Sequence, residues 1–241
     1  MILGCGLLMI SSLAYSQKSP NVVIILADDM GYGDVCCNNP YSRTSTPAID
    51  ALAAEGVRFT DAHSAGALSG PSRYGLVTGR YFFRETKQKE YWGYLYPYIS
   101  KDRLTIGSLM QKAGYTTACI GKWHLGLNWA LKDYSRPHIL SPSKFDYTNT
   151  DFSAPVSDGP TERGFDYSFI LPASLDMPPY VFVRNDKVVD PDVVLTADVY
   201  PAKKEETVYA WDRKHTGESD IYWERGVWWR NGEMSKSFKF E

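Results

Sequence analysis

The chain has 241 residues, of which 44% are hydrophobic and 22% are charged, and its formal net charge is −2. This composition is close to the globular average and excludes a fibrous or an intrinsically disordered chain. Because the charges balance, the sequence gives no electrostatic reason to expect nucleic acid or an anionic membrane as a partner.

Residues 1–16 are predicted to be a signal peptide. Residues 1–15 (MILGCGLLMISSLAY) are apolar but too few to span a bilayer, and Ala14-Tyr15-Ser16 has the small-x-small form of a signal-peptidase site. No Lys or Arg precedes Lys18, so the alternatives are a start further upstream or a buried core helix or strand. We expect a periplasmic or secreted protein with no membrane association after the segment is removed.

The body of the chain is predicted to be α/β. Residues 21–27 (NVVIILA) form a continuous β-branched run, typical of a strand buried on both faces of a parallel sheet. Helices are predicted over 46–56 and 106–113, and further strands over 57–62 and 115–120. This alternation indicates a mostly parallel central sheet with helices on both faces.

Two later segments have different patterns. Residues 127–160 are rich in Pro, Ser, Asp and Asn and are predicted to be a surface insertion. Residues 180–189 (YVFVRNDKVV) are predicted to form a hairpin that turns at Asn185-Asp186.

A pair of carboxylates follows the first predicted strand. Asp28 and Asp29 stand where ligands bind in open α/β sheets, at the carboxyl end of a strand. Adjacent carboxylates repel each other unless a cation or a proton neutralises one, and their oxygens suit calcium or magnesium. The alternative is a polar turn that leads into Gly31.

Two more polar clusters lie at turns of the predicted fold. Pro71 is suited to open a short helix, which places Ser69 near its positive end and Arg73 one turn later, facing an anion beside Ser69. Lys122 and His124 follow a strand, and their spacing of two predicts that they point to the same face. Taken singly, these residues could be an ordinary helix cap and two solvated side chains.

Together these motifs resemble the formylglycine-dependent sulfatases, of the arylsulfatase-like, serine-type bacterial class. The resemblance is carried by residues 28–34 (DDMGYGD), 46–50 (TPAID), 67–79 (ALSGPSRYGLVTG) and 114–124 (GYTTACIGKWH), in the family's order. It implies an alkaline-phosphatase-like α/β fold and the hydrolysis of a sulfated glycan or an aryl sulfate.

The resemblance also implies roles for the matching residues. Ser69 would be oxidised after synthesis to formylglycine (3-oxoalanine), whose hydrated gem-diol attacks sulfur. Arg73 would stabilise that diol, and Lys122 would hold a sulfate oxygen. His124 would take a proton from the second hydroxyl, so that sulfate is released. A plain serine would instead leave a stable sulfate ester.

The metal, the substrate side and the maturation follow from the same resemblance. Asp28, Asp29 and the modified Ser69 would bind Ca²⁺. Ser174, within residues 172–180 (PASLDMPPY), resembles a substrate-side serine, with a turn cap as its alternative. A serine at position 69, where cysteine is commoner, implies a radical-SAM enzyme as the formylglycine-generating partner.

Several family motifs are absent from the sequence. The downstream Asp-Asn pair and the His-Thr-Pro segment are missing, and His215-Thr216 is followed by Gly217. We therefore expect residues 17–241 to be an N-terminal portion of a longer catalytic domain, shortened by a gene fragment or an early stop. We expect this portion to be inactive alone. The alternatives are a phosphodiesterase or phosphonate hydrolase of the same superfamily, or a non-catalytic anion-binding remnant.

Overall fold

The chain divides into two compact units, Met1–Thr60 and Asp61–Glu241. The computed structural model describes the ranges 19–84, 94, 96–136, 149–200, 221–224 and 227–240. The predicted signal peptide at 1–16 lies outside these ranges. Within them, every helix is too short or too polar to cross a membrane.

The first unit contains helix α1, Pro47–Glu55. As predicted, the helix begins after Thr46 with proline at its first position and ends at Gly56, whose amide donates to the Leu52 carbonyl oxygen at 2.9 Å. The Thr46 hydroxyl accepts a hydrogen bond from the Cys36 amide at 2.9 Å, which ties the preceding loop to the start of the helix. A short 3-10 turn at Tyr32–Asp34 opens that loop.

The strands predicted over 21–27 and 57–62 are not formed among the described residues. Residues 21–27 have no strand pairing, and the side chains of Val22 to Leu26 are 45–87% exposed. Residues 57–62 lie in a loop and are exposed. A β-branched run favours an extended backbone, but a ladder also needs a neighbouring strand to accept its hydrogen bonds.

The second unit has a mixed sheet with the strand order β1-β2-β3-β4. Strand β1, Ala118–Lys122, pairs in parallel with β2, Tyr167–Leu171, and the register aligns Ala118 with Tyr167. Strand β2 pairs antiparallel with β3, Val183–Arg184. The sheet thus combines one parallel and two antiparallel pairings in the described residues, whereas a mostly parallel sheet was expected.

Strands β3 and β4, Lys187–Val188, form the hairpin predicted over 180–189. The turn is at Asn185-Asp186, and Asn185 has a φ of 55°, which asparagine adopts more readily than most residues. The prediction of this hairpin is confirmed.

Strand β1 begins three residues later than the strand predicted over 115–120. The Thr117 amide and hydroxyl both donate to Asp166 Oδ2, at 2.8 and 2.9 Å, so a side chain and not a strand carbonyl accepts this amide. Regular pairing with β2 starts only at Ala118, opposite Tyr167.

Two further helices pack in this unit. Helix α2 is Ser69–Thr78 and helix α3 is Ile106–Lys112, close to the predicted 106–113. Thr105 caps α3, because its hydroxyl accepts from the Ser108 amide at 3.0 Å. Gly107 allows close contact with the chain at Gly164, where an added Cβ would lie 2.6 Å from the carbonyl oxygen.

Two small sheets and a short helix also belong to the second unit. Strand β5, Val193–Leu195, pairs antiparallel with β8, Glu233–Ser235, and is followed by α4, Thr196–Val199. Strands β6, Ile221–Glu224, and β7, Val227–Arg230, pair antiparallel with each other.

The core of the second unit is largely aromatic. Its main cluster includes Tyr74, Phe82, Tyr94, Tyr98, Trp123, Trp129 and Phe152. A second cluster packs Tyr180, Met234, Phe238 and Phe240 beneath the small sheet of β5 and β8.

The region predicted as a surface insertion, 127–160, contributes to this core. Of its described parts, Leu127, Trp129, Phe152 and Val156 are all buried. Isolated bridges join Asn128 to Ser157 and Leu131 to Thr150, and they bring the two arms of the segment together. The two arms therefore bury their apolar side chains in the core, although the segment as a whole is rich in polar residues.

Candidate functional site

The start of helix α2 presents Ser69 at a positive helix end. Leu68 precedes the helix in an extended conformation, and the Ser72 amide donates to its carbonyl oxygen at 3.0 Å. Pro71, in the first turn, has the fixed φ and the missing amide hydrogen that this position tolerates. Ser69 is half-buried and Gly70 is buried. The first turn of a ten-residue helix carries partial positive charge, so an anion beside Ser69 is favoured.

Arg73 links this helix to the end of strand β1. Its Nε donates to Ser69 Oγ at 3.0 Å, and its Nη1 donates to the Lys122 carbonyl oxygen at 2.7 Å. Both contacts are part-buried, so the guanidinium is held in one orientation against the helix start. The structure thus places a permanent positive charge at the Ser69 oxygen.

His124, which is distant in the sequence, approaches the same oxygen. Its Nδ1 lies 3.2 Å from Ser69 Oγ, although the two residues are 55 positions apart. The side chain is buried, and the backbone φ is 54°. The His124 amide donates to the Pro172 carbonyl oxygen at 2.9 Å, which extends the β1–β2 pairing beyond the regular strands. Residues 69, 73 and 124 therefore meet at one point.

Lys122 is the last residue of β1 and is half-buried. Residues two apart share a face only where the backbone between them is extended. Gly121 has a φ of 96° and His124 a φ of 54°, so the backbone leaves that conformation on both sides of Lys122. Tertiary contacts, and not strand alternation, therefore set the direction of His124.

Ser174 lies in the turn that follows strand β2. The Met177 amide donates to the Ser174 carbonyl oxygen at 3.1 Å, and Ser174 is half-buried. It is two residues beyond Pro172, whose carbonyl oxygen accepts the His124 amide. The parallel pairing of β1 and β2 thus brings Ser174 to the end of the sheet from which His124 projects.

Asp28 and Asp29 belong to the first unit and are exposed. Asp29 has a φ of 56°, a conformation that Asp tolerates better than most residues. Within the described ranges, three or more His, Cys, Asp or Glu side chains nowhere gather into a group that could hold a metal ion. His215, of the His215-Thr216 pair, lies outside the described residues.

Cys119 is a neighbour of the site that the sequence patterns did not single out. It lies on β1, and burial raises the pKa of its thiol to about 11, although the positive charge of Arg73 acts to lower it. The thiol is thus protonated at neutral pH and packs as a small apolar group against the main core cluster.

Comparison with known families identifies the chain. The sulfatase family matches residues 20–212, which is most of the 241-residue sequence. The chain belongs to the sulfatase family. The match includes the start of α2 and the end of β1, where the three convergent side chains lie.

Curated sulfatases share this similarity over part of their length. The chain is 36% identical over 200 residues to an N-acetylgalactosamine-6-O-sulfatase of Bacteroides thetaiotaomicron, which covers 82% of the chain and 36% of that protein. It is 36% identical over 168 residues to human arylsulfatase G, and this alignment covers 70% of the chain and 26% of that protein. The chain therefore spans about a quarter to a third of these relatives.

A solved sulfatase structure supports the fold. The present chain is 30% identical to a structure reported for the metabolism of multiple glycosaminoglycans by Bacteroides thetaiotaomicron, and the two superpose with a TM-score of 0.63. The match covers 89% of the chain and 43% of that structure. The mixed sheet with its helices is thus part of an α/β sulfatase fold.

Proposed function

We propose that the complete protein hydrolyses sulfate esters, with residue 69 as the site of the nucleophile. The observation that carries the proposal is the convergence of Arg73 Nε and His124 Nδ1 on Ser69 Oγ, at 3.0 and 3.2 Å, at the N-terminus of α2. Membership of the sulfatase family supports the reaction class. Because the chain spans only part of its relatives, we assign the activity to the whole protein.

Ser69 is the residue that a radical-SAM maturase would convert into formylglycine. In that oxidation the side chain loses two hydrogen atoms and its C–O single bond becomes a carbonyl, while two electrons pass to the maturase. Hydrated formylglycine supplies two hydroxyl groups on one carbon, which allows sulfate to leave as the aldehyde re-forms. Ser69 is half-buried and follows the exposed Leu68, a position that an enzyme or a substrate can reach.

Arg73 would stabilise negative charge on the oxygen of residue 69. Its Nη1 is occupied by the Lys122 carbonyl oxygen, and this contact directs Nε at residue 69. The partial positive charge of the α2 N-terminus acts in the same direction. Fixed donors of this kind stabilise a developing oxyanion without having to reorganise during the reaction.

His124 would move the proton at the same oxygen. An imidazole titrates near neutrality, so it can accept a proton from a hydroxyl on residue 69 and later return it to solvent or product. Its burial keeps it oriented towards that oxygen. Lys122, at the end of β1, would supply a second positive charge for a sulfate oxygen.

Calcium fits the chemistry of the carboxylates Asp28 and Asp29, since it prefers oxygen ligands. Asp28 and Asp29 would be the ligands that the first unit supplies to the ion. When bound, the ion would neutralise anionic sulfate oxygens. Two adjacent carboxylates supply fewer ligands than the six to eight oxygens that calcium ordinarily takes, so other groups would complete its coordination.

The substrate proposed is a sulfated carbohydrate, with an aryl sulfate as the simple chromogenic equivalent. A similar Bacteroides thetaiotaomicron protein is an N-acetylgalactosamine-6-O-sulfatase, and a similar structure belongs to glycosaminoglycan metabolism. Ser174 would lie on the substrate side of the site. We further propose a periplasmic or secreted location, in keeping with the apolar segment at 1–16.

Mass spectrometry and an ester assay test the proposal together. The complete protein, co-expressed with the maturase, should contain a residue-69 peptide that is lighter by about 2 Da, for the two hydrogen atoms lost. The same preparation should hydrolyse an aryl sulfate and a sulfated sugar. Ser69→Ala should abolish both the mass change and the activity, whereas Ser72→Ala, on the same helix, should preserve both.

Each arm has an outcome that contradicts the proposal. A large preference for phosphate over sulfate esters identifies a phosphodiesterase or phosphonate hydrolase instead. An unmodified Ser69 in a preparation that binds sulfate without hydrolysing it indicates an anion-binding protein. His124→Asn with undiminished turnover excludes the proton transfer, which should contribute at least about 100-fold.

A further inference from the structure

The loop that carries His124 departs from strand geometry at that residue. The amides of Trp123 and His124 donate to the carbonyl oxygens of Leu171 and Pro172, each at 2.9 Å. Consecutive amides of a regular strand point to opposite sides, so this pattern requires a turn in the backbone. The backbone turns again directly after these two amides, because His124 has a φ of 54°, in the left-handed region that few residues other than glycine adopt.

The side chain of Trp123 closes this turn. Its indole Nε1 donates to the Gly126 carbonyl oxygen at 3.0 Å, a buried hydrogen bond that spans His124 and Leu125. The ring itself is only 3% exposed and belongs to the main core cluster. Trp123 is therefore held by packing on one side and holds the turn by its N–H on the other.

The far end of the turn is fixed against a neighbouring segment. Gly126 has a φ of 77°, and a Cβ added to it would lie 2.1 Å from the Tyr96 carbonyl oxygen. The Tyr98 amide donates to the Leu125 carbonyl oxygen at 3.0 Å. The backbone of residues 125 and 126 thus has a defined position, to which the Trp123 hydrogen bond connects.

We propose that Trp123 is a positioning residue for the reaction at residue 69. Its hydrogen bond to Gly126 maintains the left-handed turn at His124 and so keeps the imidazole 3.2 Å from the Ser69 oxygen. This inference rests on the proposed function, because Trp123 acts only through His124. Without the indole N–H, the backbone at His124 can relax towards a commoner conformation and carry the imidazole away.

The test compares two buried tryptophans of the same core cluster. Trp123→Phe retains an aromatic ring and removes the N–H, and Trp129→Phe makes the same chemical change outside the turn. In the complete matured protein, Trp123→Phe should lower kcat for an aryl sulfate about 10-fold and change KM by less than about twofold. Trp129→Phe should leave kcat unchanged, although it should lower the thermal stability about as much as Trp123→Phe does.

A second readout does not depend on activity. In the unmatured protein, the imidazole NMR signals of His124, assigned with His124→Gln, should shift in Trp123→Phe and stay in place in Trp129→Phe. In the wild type, the Trp123 indole proton should exchange with solvent as slowly as core amides do. This last measurement applies even if Trp123→Phe does not fold.

Several results would overturn the inference. Wild-type turnover with unchanged His124 signals in Trp123→Phe is one, and equal losses of kcat in both variants is another, since a general packing defect explains it. A Trp123 indole proton that exchanges as fast as an exposed one is a third. If the matured wild type does not hydrolyse sulfate esters, the proposed function fails, while the His124 signals still decide whether Trp123 positions that residue.

Discussion

Glu233 should make the protein less stable at neutral pH than in mild acid. Its side chain on β8 is buried and accepts a hydrogen bond from the Tyr94 hydroxyl. Burial raises the pKa of Glu233 from its ordinary 4.5 to about 7, while the hydrogen bond from Tyr94 and the positive charge of Lys132 act to lower it. The fold therefore prefers the protonated carboxylic acid.

The folded and unfolded chains hold this proton over different pH ranges. Below about pH 4.5, Glu233 is protonated in both states and does not affect their balance. Between about pH 4.5 and 7, the unfolded chain releases the proton while the folded chain keeps it, so unfolding becomes easier. Since each pKa unit is worth about 1.4 kcal/mol, the free energy of unfolding should fall by about 3 kcal/mol across this window.

Urea denaturation of the wild type and Glu233→Gln at several pH values measures this loss. The amide occupies the same site without titrating, so the difference in unfolding free energy between the two proteins should change by about 3 kcal/mol from pH 4.5 to above pH 7. Tyr94→Phe removes the hydrogen bond that lowers the pKa of Glu233, so the free energy of unfolding of this variant should keep falling to a higher pH than in the wild type. A difference that is constant within about 0.5 kcal/mol over this range would refute the reasoning.

Three further predictions concern packing and reactivity. Thr105→Ala removes the hydroxyl that caps α3, so the free energy of unfolding in urea should fall by about 1 kcal/mol, and Thr105→Ser should recover it. Gly107→Ala places a methyl group 2.6 Å from the Gly164 carbonyl oxygen, so the thermal midpoint should fall by several degrees, as for a loss of about 2 kcal/mol. Because burial raises the pKa of Cys119 to about 11, its alkylation by iodoacetamide at about pH 8 should be at least roughly tenfold slower than that of Cys36, and equal rates in peptide mass spectrometry would contradict this.

Local elements were predictable where a short stretch of residues carries the whole signal. Helix α1 begins with Pro47 and ends at Gly56, because those residues act on their own backbone. The hairpin at Asn185-Asp186 depends on a residue that tolerates a positive φ between two β-branched segments. The family motifs likewise lie in short contiguous runs, and they indicated residues 69, 73 and 124 before any contact between them was known.

Strand pairing was less predictable, because it depends on what lies beside a strand. Residues 21–27 have the composition of a buried strand, yet among the described residues they are exposed and unpaired. Thr117 has a high strand propensity, but the carboxylate of Asp166 takes its amide and delays the start of β1. The presence or absence of a long-range partner therefore outweighs the local preference.

The sequence by itself determined the class of the fold, the order of its helices and the residue types that the proposed reaction would use. Only the tertiary structure decided that His124 reaches the oxygen that Arg73 contacts within α2, because the approach of His124 depends on the parallel register of β1 with β2 and on its own left-handed backbone. The physical reason is the distance along the sequence over which each kind of interaction acts. Propensities and caps act over a few residues, whereas the contact between residues 69 and 124 closes a loop of 55 positions that packing of the core must stabilise.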